Sequence, residues 1–276
     1  MMTPIIAISR GTFTGGQTLA RCLADRLGYT YVGREEIVQA ATWCGVSAEK
    51  IIDAMDKPPS LWDRITRARA AYLDSFRAAL CERVQAGGVV YHGHIGHLLL
   101  PGVSHILRVR AVADLEYRIK AAMEQQHIGN RRDALAFIER VDRERVEWTR
   151  FLYGVDWDDP ILYDLVVNLS RMSVDTACEM VVEVAELDAF RPTPQSMKAL
   201  RDLGLRSRVS AVLATDPRTR VTGLTVEADD GIVTIKGVPR SQEITNAIRM
   251  VAGDVVGVRE VRFQSADNPT YCDGSP

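Results

Sequence analysis

The chain has 276 residues, 46% hydrophobic and 25% charged, with a formal net charge of -2, which is enough apolar material for one large core and a small second one. So even a balance argues against nucleic acid as a partner, because phosphate-backbone binding draws on a basic surface. Five scattered cysteines without a C-x-x-C pair exclude a disulfide frame or a zinc knuckle. No apolar run reaches the roughly 18–20 residues of a membrane span, and the N-terminus lacks a secretory pattern, so a cytoplasmic protein with no transmembrane segment is expected.

In chain order, Ile5 to Ile8 reads as a buried strand and Ser9 to Gly16 as a glycine-rich loop. A helix follows with Leu19, Leu23 and Leu27 every four residues, closed by Gly28. Glu35 to Cys44 and Ser60 to Ala86 have helical periodicity, and Gly87-Gly88 ends the second. Strands are expected at Val89 to His94, Val103 to Ala111 and Tyr163 to Asn168. Helices are expected at Leu115 to Gln126, Arg131 to Phe151 and Val174 to Leu187. Strands alternating with helices predict an α/β domain, a parallel sheet with helices on both faces, over residues 1–190.

Pro192 and Pro194 interrupt the helical pattern, so residues 191–197 are read as a linker. A smaller α+β domain then spans 198–266. It has a helix at Ser196 to Ala214, a strand at Val221 to Ala228 and a turn at Asp229-Asp230-Gly231. A return strand at Ile232 to Lys236, a helix around Ile244 to Val251 and a strand at Val258 to Gln264 complete it. Residues 267–276 read as a frayed tail.

The first loop carries the chemistry. Gly11, Gly16 and Thr18 stand where a phosphate-cradling loop places them, but Gln17 occupies the lysine position. Such a loop works by converging main-chain N–H groups and a helix N-terminus on an anion. Arg10, immediately before it, either supplies the missing cation or forms a salt bridge at the sheet edge. His92, His94, His97 and His105 are four of the five histidines. His92 and His94 share a side if the strand continues, at the carboxyl end where ligands bind in open α/β sheets. Phosphate contact by His94, a metal site and a purely structural role are all open.

Ile8-Ser9-Arg10, Gly15-Gly16, Leu27-Gly28-Tyr29 and Arg34-Glu35 together resemble the opening of the cytidylate kinase-like family, a branch of the P-loop nucleoside-monophosphate kinases. The resemblance resumes at Leu115 to Ile119, Asp142 to Arg145, Tyr153 to Pro160 and Tyr163 to Asn168. It implies a P-loop kinase-type fold, with ATP-Mg2+ bound over Gly11, Thr12, Thr14, Gly15, Gly16, Gln17 and Thr18. The γ-phosphoryl would pass to a nucleoside monophosphate such as CMP. Thr18 would hold magnesium, alone or with Asp164 or Glu35, and Arg34 and His94 are acceptor-site candidates. Arg118, Arg143 and Arg145 would screen the transferring group from a closing lid, with Arg10 beside them. The alternative for these arginines is a solvated helix face paired with Glu139, Asp142, Glu144 and Glu147.

The chain departs from the family at Gln17, at Gly33 where an aspartate is often found, and at His94 where an arginine is common. Either an active kinase or a catalytically silent nucleotide sensor fits. Asp230 to Ser241 and Val256 to Val261 are similar to a BON domain, a non-catalytic module. That likeness implies a protein partner or a phospholipid surface.

Overall fold

The computed structural model describes residues 3–56, 68–94, 96–219, 223–238 and 241–265. Its larger sheet is wholly parallel, in the order β2-β3-β1-β4-β5. The strands are β1 (Ile5–Arg10), β2 (Thr30–Gly33), β3 (Val89–Gly93), β4 (Ile106–Val112) and β5 (Leu165–Asn168). β1 is central, with Ile5 opposite Val89 on one side and Ile106 on the other. Its residues are apolar on both faces, as a doubly covered parallel strand requires.

Alternation sends Ile6 and Ile8 to one face and Ile5 and Ala7 to the other. The first face is covered by α1 (Gly16–Leu27) and α7 (Val174–Ala185) through Leu19, Leu23, Ala177 and Val181. The second is covered by α2 (Arg34–Ala40), α3 (Ala48–Asp56), α4 (Ala68–Val84) and α6 (Arg131–Tyr153). α5 (Leu115–Gln125) pairs with α6 and builds a small separate core of Ile119, Ala122, Ala134 and Ile138. The parallel sheet wrapped on both faces is therefore as the sequence predicts.

Differences lie at the joints. α3 has no counterpart in the sequence reading, being short and followed by Lys57-Pro58-Pro59. β4 begins at Ile106, not Val103. The helix expected from Ser60 is seen from Ala68, and its first eight positions lie outside the described residues, as does the tail at 267–276.

The stretch read as a linker is mostly helix. α8 (Pro194–Thr215) starts inside it, with Thr193 as cap: its Oγ1 accepts from Ser196 N at 3.1 Å. Pro194 stands in the first turn, where a missing N–H costs nothing and a fixed φ helps. The prolines mark a helix start rather than a spacer.

α8 then serves two cores. Leu200 and Leu203 pack in the core of the large domain, while Val209 and Leu213 belong to the small one. The small sheet runs β6-β7-β8, namely β6 (Thr225–Asp229), β7 (Ile232–Gly237) and β8 (Glu260–Ser265), with α9 (Gln242–Gly253) packed beside it. β6 and β7 form the expected hairpin, with Asp230 at φ 42° and Gly231 at φ 82° in its turn. Residues 221 and 222, assigned to the first of these strands, lie outside the described residues.

α8 is fixed to the large domain at three levels. Ser196 Oγ and His105 Nδ1 share a hydrogen bond at 2.8 Å, and Arg208 Nη2 donates to Glu82 Oε2 at 2.9 Å. Between them, a Cβ placed on Gly204 would stand 3.0 Å from Cys81 Cβ. Replacing Gly204 by leucine is therefore expected to destabilise the protein by about 1–3 kcal/mol through overpacking. Urea denaturation checks this, and an unchanged midpoint would show that α4 and α8 separate freely.

Candidate functional site

The loop between β1 and α1 is shaped by local sequence. Gly15 takes φ 82° at the N-cap of α1 and offers no side-chain cap, leaving the first N–H groups of the helix directed at the cleft. Phe13 is left-handed, at φ 58°, a conformation that costs a non-glycine residue about 1–3 kcal/mol. Packing offsets this: its ring lies 5.9 Å from that of Phe137, and it seats on the α5–α6 core. The loop is thus pinned to the two helices that face it.

A polar network makes the same connection. Thr12 Oγ1 donates to Asp142 Oδ1 at 2.6 Å and accepts from Arg145 Nη1 at 2.9 Å. Arg118 Nε donates to Thr12 O at 2.8 Å, and its Nη2 donates to Asp142 Oδ2 at 2.6 Å. Asp142 joins one loop hydroxyl to one arginine of α5. Charged, partly buried hydrogen bonds of this kind hold geometry well.

The loop borders a cleft of about 720 Å³. Gly11 through Thr18 form one wall, and Phe137, Arg140, Val141, Glu144 and Arg145 of α6 form the opposite one. Those five α6 positions follow the helical repeat and so share one face. Arg34 at the start of α2, Asp53 of α3, Gln125 at the end of α5 with its cap Gln126, and His92 of β3 also line the cleft. The cleft therefore holds three arginines, two carboxylates and a helix N-terminus.

The predicted residues divide. Gly11, Thr12, Thr14, Gly15, Gly16, Gln17, Thr18, Arg34 and Arg145 all line the cleft, with Gln17 and Thr18 exposed to it. Arg118 does not line it but holds the loop through Thr12 and Asp142. Arg143 is solvent-exposed and off the cleft face. Two residues from Arg145 on a helix is about 200° of rotation, so both cannot point inward. The Arg10 side chain lies outside the described residues.

His94 is not in the cleft. β3 ends at Gly93, the alternation stops, and His94 turns to the other face. There it packs 5.7 Å from Trp148 and 5.3 Å from Trp157 and shares a hydrogen bond with Thr149 Oγ1 at 3.1 Å. His92 is the cleft histidine, although the sequence favoured its neighbour.

Burial, with the nearby Arg108 charge, pushes the His97 imidazole down to about 4, so it is neutral at physiological pH. Among the described residues, no three His, Cys, Asp or Glu side chains converge as a metal site. Of the carboxylates considered for magnesium, Asp164 is in a bidentate pair with Arg108, at 2.5 and 3.0 Å. Burial raises its pKa, yet those hydrogen bonds hold it below the ordinary carboxylate range. Glu35 is exposed and does not border the cleft. Asp53 and Glu144 do. Asp53 lies in a short helix that the sequence does not signal, and Glu144 pairs with Arg140 at 3.1 Å, as the helix-face alternative expects. A hard cation prefers oxygen ligands, and the Thr18 hydroxyl is the loop oxygen suited to one.

An all-parallel five-stranded sheet, a strand–glycine loop–helix at its centre and arginines on the facing helix define a P-loop kinase-type domain, here joined to a small α+β domain. Residues 5–171 match the cytidylate kinase-like family, and the chain belongs to it. Residues 201–264 match the BON domain. A cytidylate kinase of Ignicoccus hospitalis is 28% identical over 184 residues, which are 64% of this chain and 96% of that enzyme. One from Staphylothermus marinus is 28% identical over 185 residues, 66% of this chain and 96% of the relative. Among solved structures, an uncharacterized protein from Eubacterium ventriosum aligns with a TM-score of 0.51 at 20% identity. That alignment covers 66% of this chain and 98% of the other.

Proposed function

We propose that the protein binds ATP over the Gly11–Thr18 loop and transfers its γ-phosphoryl group to a nucleoside monophosphate, CMP-like as in the named relatives. The observation that carries this reading is the arrangement of cations around one cleft. Arg145 and Arg140 stand on α6 and Arg34 stands on α2. Phosphoryl transfer needs little covalent help; positioning and neutralisation of spreading charge are most of it.

In this reading the N–H groups of the loop and of the first turn of α1 hold the polyphosphate. Arg34 takes the acceptor's phosphate. Arg145 exchanges its bond to the Thr12 hydroxyl for one to the phosphoryl group in flight, and Asp142 keeps Thr12 in place meanwhile. Thr18 is the loop residue that would hold magnesium, and that ion would supply positive charge against the phosphates. α5 and α6, joined to the loop through Thr12 and Phe13, exclude water.

A second reading has one observation in its favour. Gln17 carries no charge where the loop's ammonium group normally stands, so binding without turnover is the alternative. The BON domain, held on α8, is then the relay to a partner or a phospholipid surface; in either case a cytoplasmic setting is expected. No helix among the described residues is long and apolar enough to cross a membrane.

A coupled ADP-release assay with Mg-ATP and a panel of monophosphates, run beside Gln17→Lys, separates these readings. Turnover of a pyrimidine monophosphate by the natural chain, increased by lysine, is the expected result. ATP binding with no turnover, restored by lysine, favours the sensor. No ATP binding by either protein overturns both.

A further inference from the structure

We propose that His92, in its protonated form, supplies the positive charge beside bound polyphosphate that Gln17 does not. This deepens the ATP-binding reading above and rests on it.

The position is set by the sheet. β3 neighbours β1, with His92 in register with Ile8 and Gly93 with Ser9, so His92 comes up directly under the start of the loop. Alternation along β3 turns Tyr91 toward α4 and His92 toward α1. Its side of the sheet is therefore that of the helix N-terminus. The Nε2 atom lies 3.5 Å from where a Cβ on Gly16 would stand, against the first residue of α1. The ring is 6% exposed, lines the cleft and stacks on Tyr31 at a centroid distance of 6.5 Å.

The chemistry follows from that placement. P-loop enzymes commonly hold magnesium between the loop's Ser/Thr and an aspartate. Imidazole is a poor partner for a hard cation but a good counter-charge for phosphate. His92 therefore adds to the positive side of the charge balance, as the absent lysine would.

Around His92 stand the positive end of α1, Arg34 of α2, Arg140 and Arg145 of α6, and Arg21 of α1 beyond Tyr31. Asp53 of α3 and Glu144 of α6 are the carboxylates of the same cleft, Glu144 paired with Arg140 at 3.1 Å. Polyphosphate brings several negative charges at once, so binding raises the pKa of His92. By linkage, binding then takes up a proton. Affinity is greatest below the free-state pKa and falls as pH rises through the bound-state pKa.

The test is calorimetric titration of the full chain with a non-hydrolysable ATP analogue at pH 6, 7 and 8, in buffers of different ionisation enthalpy. The natural protein is compared with His92→Gln. Protonation of the analogue itself is common to both and cancels in the difference. The natural protein is expected to take up more proton on binding. Its affinity is expected to fall about tenfold more between pH 6 and 8 than that of the variant.

Equal proton uptake and parallel pH profiles overturn the proposal while leaving ATP binding intact. Failure of the natural protein to bind at any pH overturns the ATP reading itself. Independently of any variant, the imidazole carbon signals of His92 in an NMR titration should move to a higher midpoint when the analogue is added. An unchanged midpoint overturns the proposal.

Discussion

An Arg145→Ala variant is expected to lose about 10³-fold in turnover, roughly 4 kcal/mol of transition-state stabilisation, by comparison with arginines that neutralise phosphoryl transfer elsewhere. ATP affinity should fall far less. The loop does not depend on Arg145 for its shape: Thr12 Oγ1 still donates to Asp142, Arg118 still reaches Thr12 O, and Phe13 stays on Phe137. The measurement is steady-state kinetics beside a direct binding titration. A loss below tenfold would show that Arg145 is only a structural partner of Thr12. Equal losses in binding and turnover would place it in ground-state recognition.

Replacing Trp148 by alanine is expected to cost about 3–5 kcal/mol, the usual range for truncating a buried tryptophan. Trp148 is 1% exposed, and its Nε1 donates to Ala54 O of α3 at 2.6 Å. Its ring lies 5.7 Å from His94 and 6.0 Å from Tyr153. It therefore ties α6 to α3, and those helices contribute Arg145 and Asp53 to the cleft. Trp148→Phe separates the contributions: it keeps most of the packing but removes the indole hydrogen bond to the Ala54 carbonyl, an expected loss of about 0.5–1.5 kcal/mol. Urea unfolding of both variants gives the comparison. If Trp148→Ala changes stability by less than about 1 kcal/mol, α3 and α6 are not joined through this residue.

Much of the first domain could be read from its residues. A run of four apolar residues, a glycine loop and leucines every fourth position leave little choice about β1, the loop and α1. Motifs in the right order gave the family, and the Asp-Gly turn between alternating strands gave the second module. The misplaced joints have local causes. Pro194 signals either an interruption or a first turn, and only the Thr193–Ser196 exchange of hydrogen bonds selects the second. α3 was lost because a short helix ahead of two prolines has too few periodic positions to stand out.

The site was legible as a set of residue types and much less as an arrangement. The Asp142-x-x-Arg145 spacing favours Arg145 over Arg143, but only the packing shows that one is exposed and the other meets Thr12. His92 and His94 look equivalent on an extended strand, but β3 stops between them.

What this sequence determined by itself was therefore local: strand, loop, helix and turn, each fixed by φ/ψ preference and by hydrophobic period over a few residues. Tertiary structure alone decided which face of α6 meets the loop, which histidine lies under α1, that Asp53 enters the cleft, and that α8 belongs to two cores at once. Those outcomes depend on contacts between residues tens to more than a hundred positions apart, such as Thr12 with Asp142 and His105 with Ser196. A helical or extended period repeats identically whichever neighbour the chain finally packs against, so it cannot encode that choice.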